Sequence, residues 1–432
     1  MKILVLTNLY PPHQAGTEDL RCQAITDHLR LRGHDLRVLT STHGMQNERS
    51  DGEVQRRFLL NGAFGHPLVA DRDAVKEIEL HNHAAFREEL EQFQPEVIHV
   101  FSLRGLSKSL IFGLQHAHRP VVYDVADSWL VEDMRADPWL RWWNAPSGSA
   151  GRTWQEFAGL RAKLDATAPT RPMPGCDRIP ELFGDGSPPA PGTISAFRFD
   201  RIYFCSHALK EATEQAGFQV GHADVIPPGI ATQNFVGEVK PASVPLAKLL
   251  FVGRLNKTSG LRTAVRALQL LASQGVKVSL SIYGKGDSNY IAEARSLIAT
   301  QKLPAEFLPV SNSQRDLPAL FRQHDCLLHC AEAPEPFFLT PMEAMACGLP
   351  VIGTALGGAR ELFRPGENAL TFIPGDADEL AAQIRELQSQ PAWRCRIAET
   401  AQAELLSQGN ETVMADRIET YLDTSLQMWQ AG

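Results

Sequence analysis

The run Glu335-Pro336-Phe337-Phe338-Leu339-Thr340-Pro341-Met342-Glu343-Ala344-Met345-Ala346-Cys347-Gly348-Leu349-Pro350-Val351-Ile352 sets two carboxylates eight positions apart around the start of a short helix. A helix start carries unpaired amides and the positive end of the helix dipole, a seat for phosphate, and Leu339 and Thr340 fall where those amides lie. Ionised carboxylates only accept hydrogen bonds, so Glu335 in the loop and Glu343 in the helix suit hydroxyls such as those of a sugar and a ribose. The plainer alternative is one helix acid and one solvated acid. About eighty residues earlier, Phe251-Val252-Gly253-Arg254-Leu255-Asn256-Lys257-Thr258-Ser259-Gly260 offers Arg254 and Lys257 just after a strand. A guanidinium bonds phosphate oxygens bidentately and keeps its charge. Taken alone, a surface ion pair is the commoner fate of such an arginine.

These groups need a scaffold that brings strand ends together. Ile3 to Thr7, Leu36 to Thr40, Val97 to Phe101, Val121 to Val125 and Ile202 to Cys205 are short continuous apolar runs. Continuous runs mark strands buried on both faces. Thr17 to Leu31 reads as an amphipathic helix stopped at Gly33. The rhythm restarts at Leu249 to Gly253 and continues through Val276 to Gly284, Cys326 to Cys330, Val351 to Thr354 and Leu370 to Ile373. Strands joined by helices imply parallel pairing, hence two doubly wound α/β domains with ligands at the carboxyl ends of the strands. The expected organisation is residues 1–240, residues 241–411, and a final helix within 412–432 that packs back on the first domain.

Composition bounds the rest. A chain of 432 residues exceeds one ordinary core, and 44% hydrophobic with 21% charged residues describes a globular protein. The formal charge of −8 argues against a nucleic-acid partner without excluding a local phosphate pocket. The apolar run after Met1 is too short for a signal-peptide core or a membrane span, and seven scattered cysteines read as reduced thiols. A cytoplasmic protein is expected, with peripheral contact at the inner face of a membrane left open. Cys326, His329 and Cys330 raise a metal site, but a strand points alternate side chains to opposite faces, and no metal is expected. The interval from about 129 to 200 is proline-rich and holds Trp129, Trp139, Trp142, Trp143 and Trp154. Such an insertion suits sugar rings or lipid chains, or equally a local aromatic core.

Val252-Gly253-Arg254-Leu255, the Glu335/Glu343 pair and Gly357-Gly358-Ala359-Arg360-Glu361-Leu362 together resemble retaining glycosyltransferases of family 4 across nearly the whole second domain. Tyr10-Pro11-Pro12-His13-Gln14-Ala15-Gly16-Thr17-Glu18 is similar to the family's glycine-containing first loop. The resemblance implies a GT-B fold, two Rossmann-like domains facing each other across a cleft. It implies transfer of a sugar from a nucleoside diphosphate sugar, UDP or GDP, to a glycan, lipid-linked or small-molecule acceptor, with retention of configuration and no metal or other cofactor. By the same resemblance Glu335 contacts the donor sugar, Glu343 the ribose and Arg254 the diphosphate, with Lys257, Phe338, Leu339 and Thr340 around them. Gly16 lets the first loop approach the phosphates.

Three departures stand out. Ser259 occupies the place of the family's second cation, Pro336 removes an amide, and the family's first-domain His-Asp pair falls on Ala126-Asp127. Asp127, Asp124 or His13 is then the polar group left near the reacting carbon. Asp127 reads equally as a helix cap. A GT-B epimerase or phosphorylase, or a binder without turnover, are the alternatives. A nicotinamide enzyme lacks its glycine fingerprint here.

Overall fold

The computed structural model describes residues 1–13, 16–45, 47–69, 71–136, 197–310 and 317–432. Gln14, Ala15, Trp139, Trp142, Trp143, Trp154 and Cys176 lie outside these described residues. The chain forms two compact units, Met1–Ile226 with Ala415–Gly432, and Pro227–Met414. The division thus falls at Ile226/Pro227, ahead of the 240/241 boundary expected from the polar stretch around Lys240.

In the first unit, β1 (Lys2–Leu6), α1 (Thr17–Leu31), β2 (Asp35–Ser41), β3 (Arg49–Asp51) and β4 (Val54–Phe58) are followed by α2 (Arg72–Phe93) and β5 (Val97–Val100). Then come α3 (Leu110–Gln115), β6 (Val121–Val125), α4 (Trp129–Ala136), β7 (Arg201–Phe204), α5 (His207–Gln215) and β8 (Asp224–Val225). The sheet order is β3-β4-β2-β1-β5-β6-β7-β8, parallel except for the β3–β4 pair. The order reverses at β1/β5, the switch point at which doubly wound sheets hold ligands.

Strand β4 does not look buried in sequence, because Val54-Gln55-Arg56-Arg57-Phe58 carries two arginines. Arg56 is nevertheless 3% exposed, and it donates Nη1 to the carbonyl of Tyr10 at 3.0 Å and Nη2 to that of Pro11 at 2.6 Å. Its charge is satisfied by these backbone oxygens and by Asp51, 3.5 Å from Nε, and it anchors the loop that leads to Gly16.

The second unit repeats the plan after a short α6 (Thr232–Phe235). It comprises β9 (Lys248–Val252), α7 (Leu261–Ser273), β10 (Ser279–Tyr283), α8 (Ser288–Thr300), β11 (Ala305–Phe307), α9 (Leu317–Gln323) and β12 (Cys326–His329). α10 (Leu339–Ala346), β13 (Val351–Gly353), α11 (Ala359–Leu362), β14 (Leu370–Thr371), α12 (Ala377–Ser389) and α13 (Pro391–Gln408) complete it. The all-parallel order β11-β10-β9-β12-β13-β14 again reverses beside its first strand. Leu249 and Phe251 enter one core with Cys326, Leu328 and Cys330, whereas Leu250 and Leu327 enter the other with α10. Burial on both faces explains why these strands read as unbroken apolar runs.

The last helix, α14 (Glu411–Ala431), has its larger part in the first unit. There Tyr421 donates to the carbonyl of Ile202 at 3.0 Å and its ring meets Tyr203 at a 5.2 Å centroid distance. His34 bonds Glu419 at 2.8 Å and Arg32 donates to Asp416, fastening α14 to the end of α1. Among the described residues, the one trio of side chains close enough to share a metal is His28, Asp416 and Glu419. Arg32 already holds the cationic place beside both acids. No helix among the described residues is long and apolar enough to cross a membrane.

Candidate functional site

Strands β9 and β12 are parallel neighbours, so the loops after them leave the same edge of the second unit's sheet. The Arg254 loop closes on itself: Asn256 Oδ1 accepts from the Thr258 amide at 3.0 Å, and Ser259 Oγ donates to the carbonyl of Asn256 at 2.8 Å. Ser259, at the place of the family's second cation, is therefore a turn-closing residue. The Glu332 amide donates to the carbonyl of Thr258 at 2.8 Å, and Thr263 donates to Glu332 Oε1 at 2.6 Å, which ties the loop after β12 to the loop after β9. Gly260 (φ 72°) permits this contact, since a Cβ there would stand 1.7 Å from the carbonyl oxygen of Cys330.

Glu335 is exposed and its backbone is clamped. The Gly358 amide donates to its carbonyl at 3.0 Å, and a Cβ on Gly357 (φ 54°) would lie 2.2 Å from the same oxygen. The Gly357-Gly358 pair thus sets the position of Glu335 through close backbone approach. α10 starts at Phe338 without a side-chain cap. With Pro341 lacking an N–H, its first turn presents the Leu339 and Thr340 amides. The Phe338 ring is buried, edge-on to His329 at 4.2 Å, so this residue lends the loop its backbone and the core its ring. Burial holds the His329 imidazole down at about 4, hence neutral, and it wedges the start of α10 against β12.

Glu343 lies one turn into α10, half-buried, and its pKa is pushed up to about 7 by burial. No hydrogen bond or ion pair engages its carboxylate among the described residues. Arg254 and Lys257 are exposed and likewise lack a side-chain partner there. Lys285, on the loop after β10, accepts the Leu255 amide at 2.9 Å through its carbonyl and adds a cation to this edge. Its position was not legible in the sequence, because parallel pairing of β9 with β10 is what places it. The second unit therefore brings Arg254, Lys257, Leu339, Thr340, Glu335 and Glu343 to one sheet edge.

The first unit holds the remaining candidates. Gly16 precedes α1 in extended backbone (φ −159°), and a Cβ there would meet only the flexible end of Glu18, so neither conformation nor packing demands glycine. The His13 ring lies against Gly44 on the loop after β2. Asp127 Oδ1 accepts from the Trp129 amide at 3.0 Å, capping α4, while Oδ2 faces Arg104 Nε at 3.3 Å and Ser102 at 3.5 Å. Asp124 is 2% exposed and bonded to Arg21 and Tyr203, which removes it from the surface. Arg21 and Arg104, which organise these acids, carry no motif and were missed from sequence. Cys326 and Cys330 face one core while His329 packs against Phe338 and Phe363, as strand alternation requires.

Residues 239–404 match the family model described as glycosyl transferases group 1. A glycogen synthase of Mycobacterium tuberculosis is 29% identical over 227 residues, 52% of this chain and 54% of that protein. A D-inositol 3-phosphate glycosyltransferase of an Arthrobacter species is 28% identical over 211 residues, 46% of this chain and 50% of that protein. The chain thus spans about half the length of the curated relatives it matches. Sucrose-phosphate synthase from Thermosynechococcus elongatus superposes with a TM-score of 0.67 at 18% identity, over 100% of this chain and 99% of that one. Anabaena HepE in complex with UDP superposes with a TM-score of 0.65 at 20% identity, over 98% and 100%. The fold is GT-B, with two Rossmann-like α/β domains.

Proposed function

We propose that this chain is a glycosyltransferase that takes a sugar from a nucleoside diphosphate sugar, UDP- or GDP-linked, and passes it to a hydroxyl-bearing acceptor with retention of configuration. One observation carries the reading: a guanidinium with no side-chain partner among the described residues, the uncapped start of a helix and two carboxylates follow neighbouring strands at the carboxyl edge of one parallel sheet. The group 1 match over this unit and the UDP held by HepE support it. Arg254 and the Leu339 and Thr340 amides take the diphosphate, with Lys257 or Lys285 as the second cation. Glu343 accepts from the ribose hydroxyls and Glu335 from the donor sugar. As the bond from the anomeric carbon to the phosphate oxygen breaks, the acceptor oxygen bonds that carbon from the same face. Its proton passes to the departing diphosphate. Cationic side chains and helix amides stabilise that leaving group, so the reading calls on no metal. Asp127, paired with Arg104 at 3.3 Å, orients the acceptor.

A second reading, a nucleotide-sugar binder without turnover, draws on Ser259, which spends its hydroxyl on a turn where the family carries a cation. Incubation with UDP- and GDP-sugars separates the two. Raised melting temperature with released nucleotide supports transfer, stabilisation without release supports the binder, and no response to any nucleotide refutes both. Arg254→Ala is expected to abolish both responses without lowering the melting temperature of the free protein.

A further inference from the structure

Between the ends of β1, β5 and β6 in the first unit lies a recess of about 10 Å³, room for one water-sized group. Arg21, Asp124, Glu18, Asp19, Ser102 and Asp127 are among the residues that line it. Arg21 is 9% exposed and Asp124 2%. Arg21 Nη1 donates to Asp124 Oδ2 at 2.6 Å, and the Tyr203 hydroxyl donates to the same oxygen at 2.8 Å. His99, neutral through burial, holds Tyr203 from behind at 2.9 Å. Three buried polar atoms of the pair are left without a partner among the described residues: Arg21 Nε, Arg21 Nη2 and Asp124 Oδ1. Such groups are costly to leave unsatisfied.

We infer that this recess is a hydroxyl site for the acceptor, taking a neutral sugar or polyol hydroxyl and refusing phosphate and carboxylate. Two idle donors and one idle acceptor on the same buried pair call for a group that accepts and donates together, as a hydroxyl does. An anion satisfies Arg21 but leaves Asp124 Oδ1 unpaired. It also meets four carboxylates (Glu18, Asp19, Asp124 and Asp127), against which stand only Arg21, engaged by Asp124, and Arg104, engaged by Asp127. The recess sits at the switch point of its sheet, where doubly wound folds bind ligands. This inference rests on reading the chain as a transferase with its acceptor in the first unit.

The test uses the full chain without donor. Glucose, mannose, myo-inositol and their monophosphates are titrated by saturation-transfer NMR against wild type, the charge-neutral double variant Arg21→Gln/Asp124→Asn, and Ala126→Val. The last fills the recess and leaves the buried pair intact. At least one neutral compound is expected to bind and to weaken about tenfold or more in both variants, as loss of a hydrogen bond to a charged group requires. Monophosphate binding is expected to be unchanged by either variant. Absence of any neutral binder overturns the inference. So does neutral binding that persists in Ala126→Val, which assigns the recess to a resident water, or a monophosphate weakened as much as its parent. UDP affinity is measured in parallel. Sugar binding that behaves as expected in a protein blind to UDP refutes the transferase reading and leaves the hydroxyl site standing.

Discussion

Glu343 makes nucleotide-sugar binding depend on pH in a calculable way. Its carboxyl is raised from 4.5 to about 7 by burial without a compensating cation. The ionised form offers both oxygens as acceptors to two ribose hydroxyls, whereas the protonated form turns one of them into a donor. With a midpoint near 7, the ionised share of the free protein rises from roughly one-eleventh at pH 6 to roughly ten-elevenths at pH 8. The affinity for UDP-glucose, whose diphosphate keeps its charge over this range, is expected to rise about tenfold across it. Stability moves the other way. The unfolded chain loses this proton near pH 4.5 and the folded chain near 7, so the fold binds more protons between those values and stability falls as pH rises through them. The cost is fully developed above pH 7 and amounts to at most about 3 kcal/mol. Glu343→Gln removes both effects. Its UDP-glucose affinity is flat from pH 6 to 8 and weaker than wild type at pH 8, while its melting temperature at pH 8 is higher. Calorimetric titration and thermal melts at pH 5, 6, 7 and 8 read both quantities. A wild-type affinity that does not change with pH, or a Gln variant that keeps the slope, refutes the placement of Glu343 at the ribose.

Two further outcomes test the frame around the site. Gly357→Ala puts a Cβ 2.2 Å from the Glu335 carbonyl at a φ of 54°. It is expected to lower stability by about 1–2 kcal/mol and to reduce kcat by displacing Glu335, read by melts and by nucleotide release. Asp127→Asn retains the Trp129 cap but gives up the ion pair with Arg104, so kcat is expected to fall with UDP-glucose affinity unchanged; an unaltered kcat reduces Asp127 to a helix cap.

The strands were legible because burial on both faces of a parallel sheet imposes an unbroken apolar run. Val97–Val100 is buried throughout, Val121–Val125 beyond its first residue, and Lys248–Val252 at its three central residues. What escaped notice is where local pattern and tertiary environment disagree. Arg56 and Arg57 disguise β4, and its burial is comprehensible only once the carbonyls of Tyr10 and Pro11 are seen to receive the guanidinium. The short β8 and β11, of two and three residues, leave no periodicity to read. The domain boundary was drawn at the polar stretch around Lys240. That segment belongs to the second unit, where Lys240 bonds Asp325 at 2.7 Å and the carbonyl of His324 at 2.7 Å. The stretch is largely exposed, but the ion pair of Lys240 ties its start to the second unit.

The two sites differ in legibility for a physical reason. In the second unit the functional groups sit in the loops after β9 and β12 and in the first turns of α10, in short runs marked by Gly260, Pro336 and Pro341, so residue type and spacing carry much of the geometry. In the first unit Arg21 and Asp124 meet across a sequence separation of 103 residues. Nothing near either residue announces the other. A buried arginine with two idle donors has no sequence signature, because helix α1 shows the same alternation whether Arg21 points to solvent or into the sheet. The pair becomes visible only through the cost of its unsatisfied atoms, and that cost specifies a partner. A chain that kept this pair as structural filler gains by replacing it with apolar residues, since a buried ion pair seldom outperforms hydrophobic packing. The unpartnered atoms that Arg21 and Asp124 carry beside Glu18, Asp19 and Asp127 call instead for a group that arrives with both a lone pair and a proton to offer.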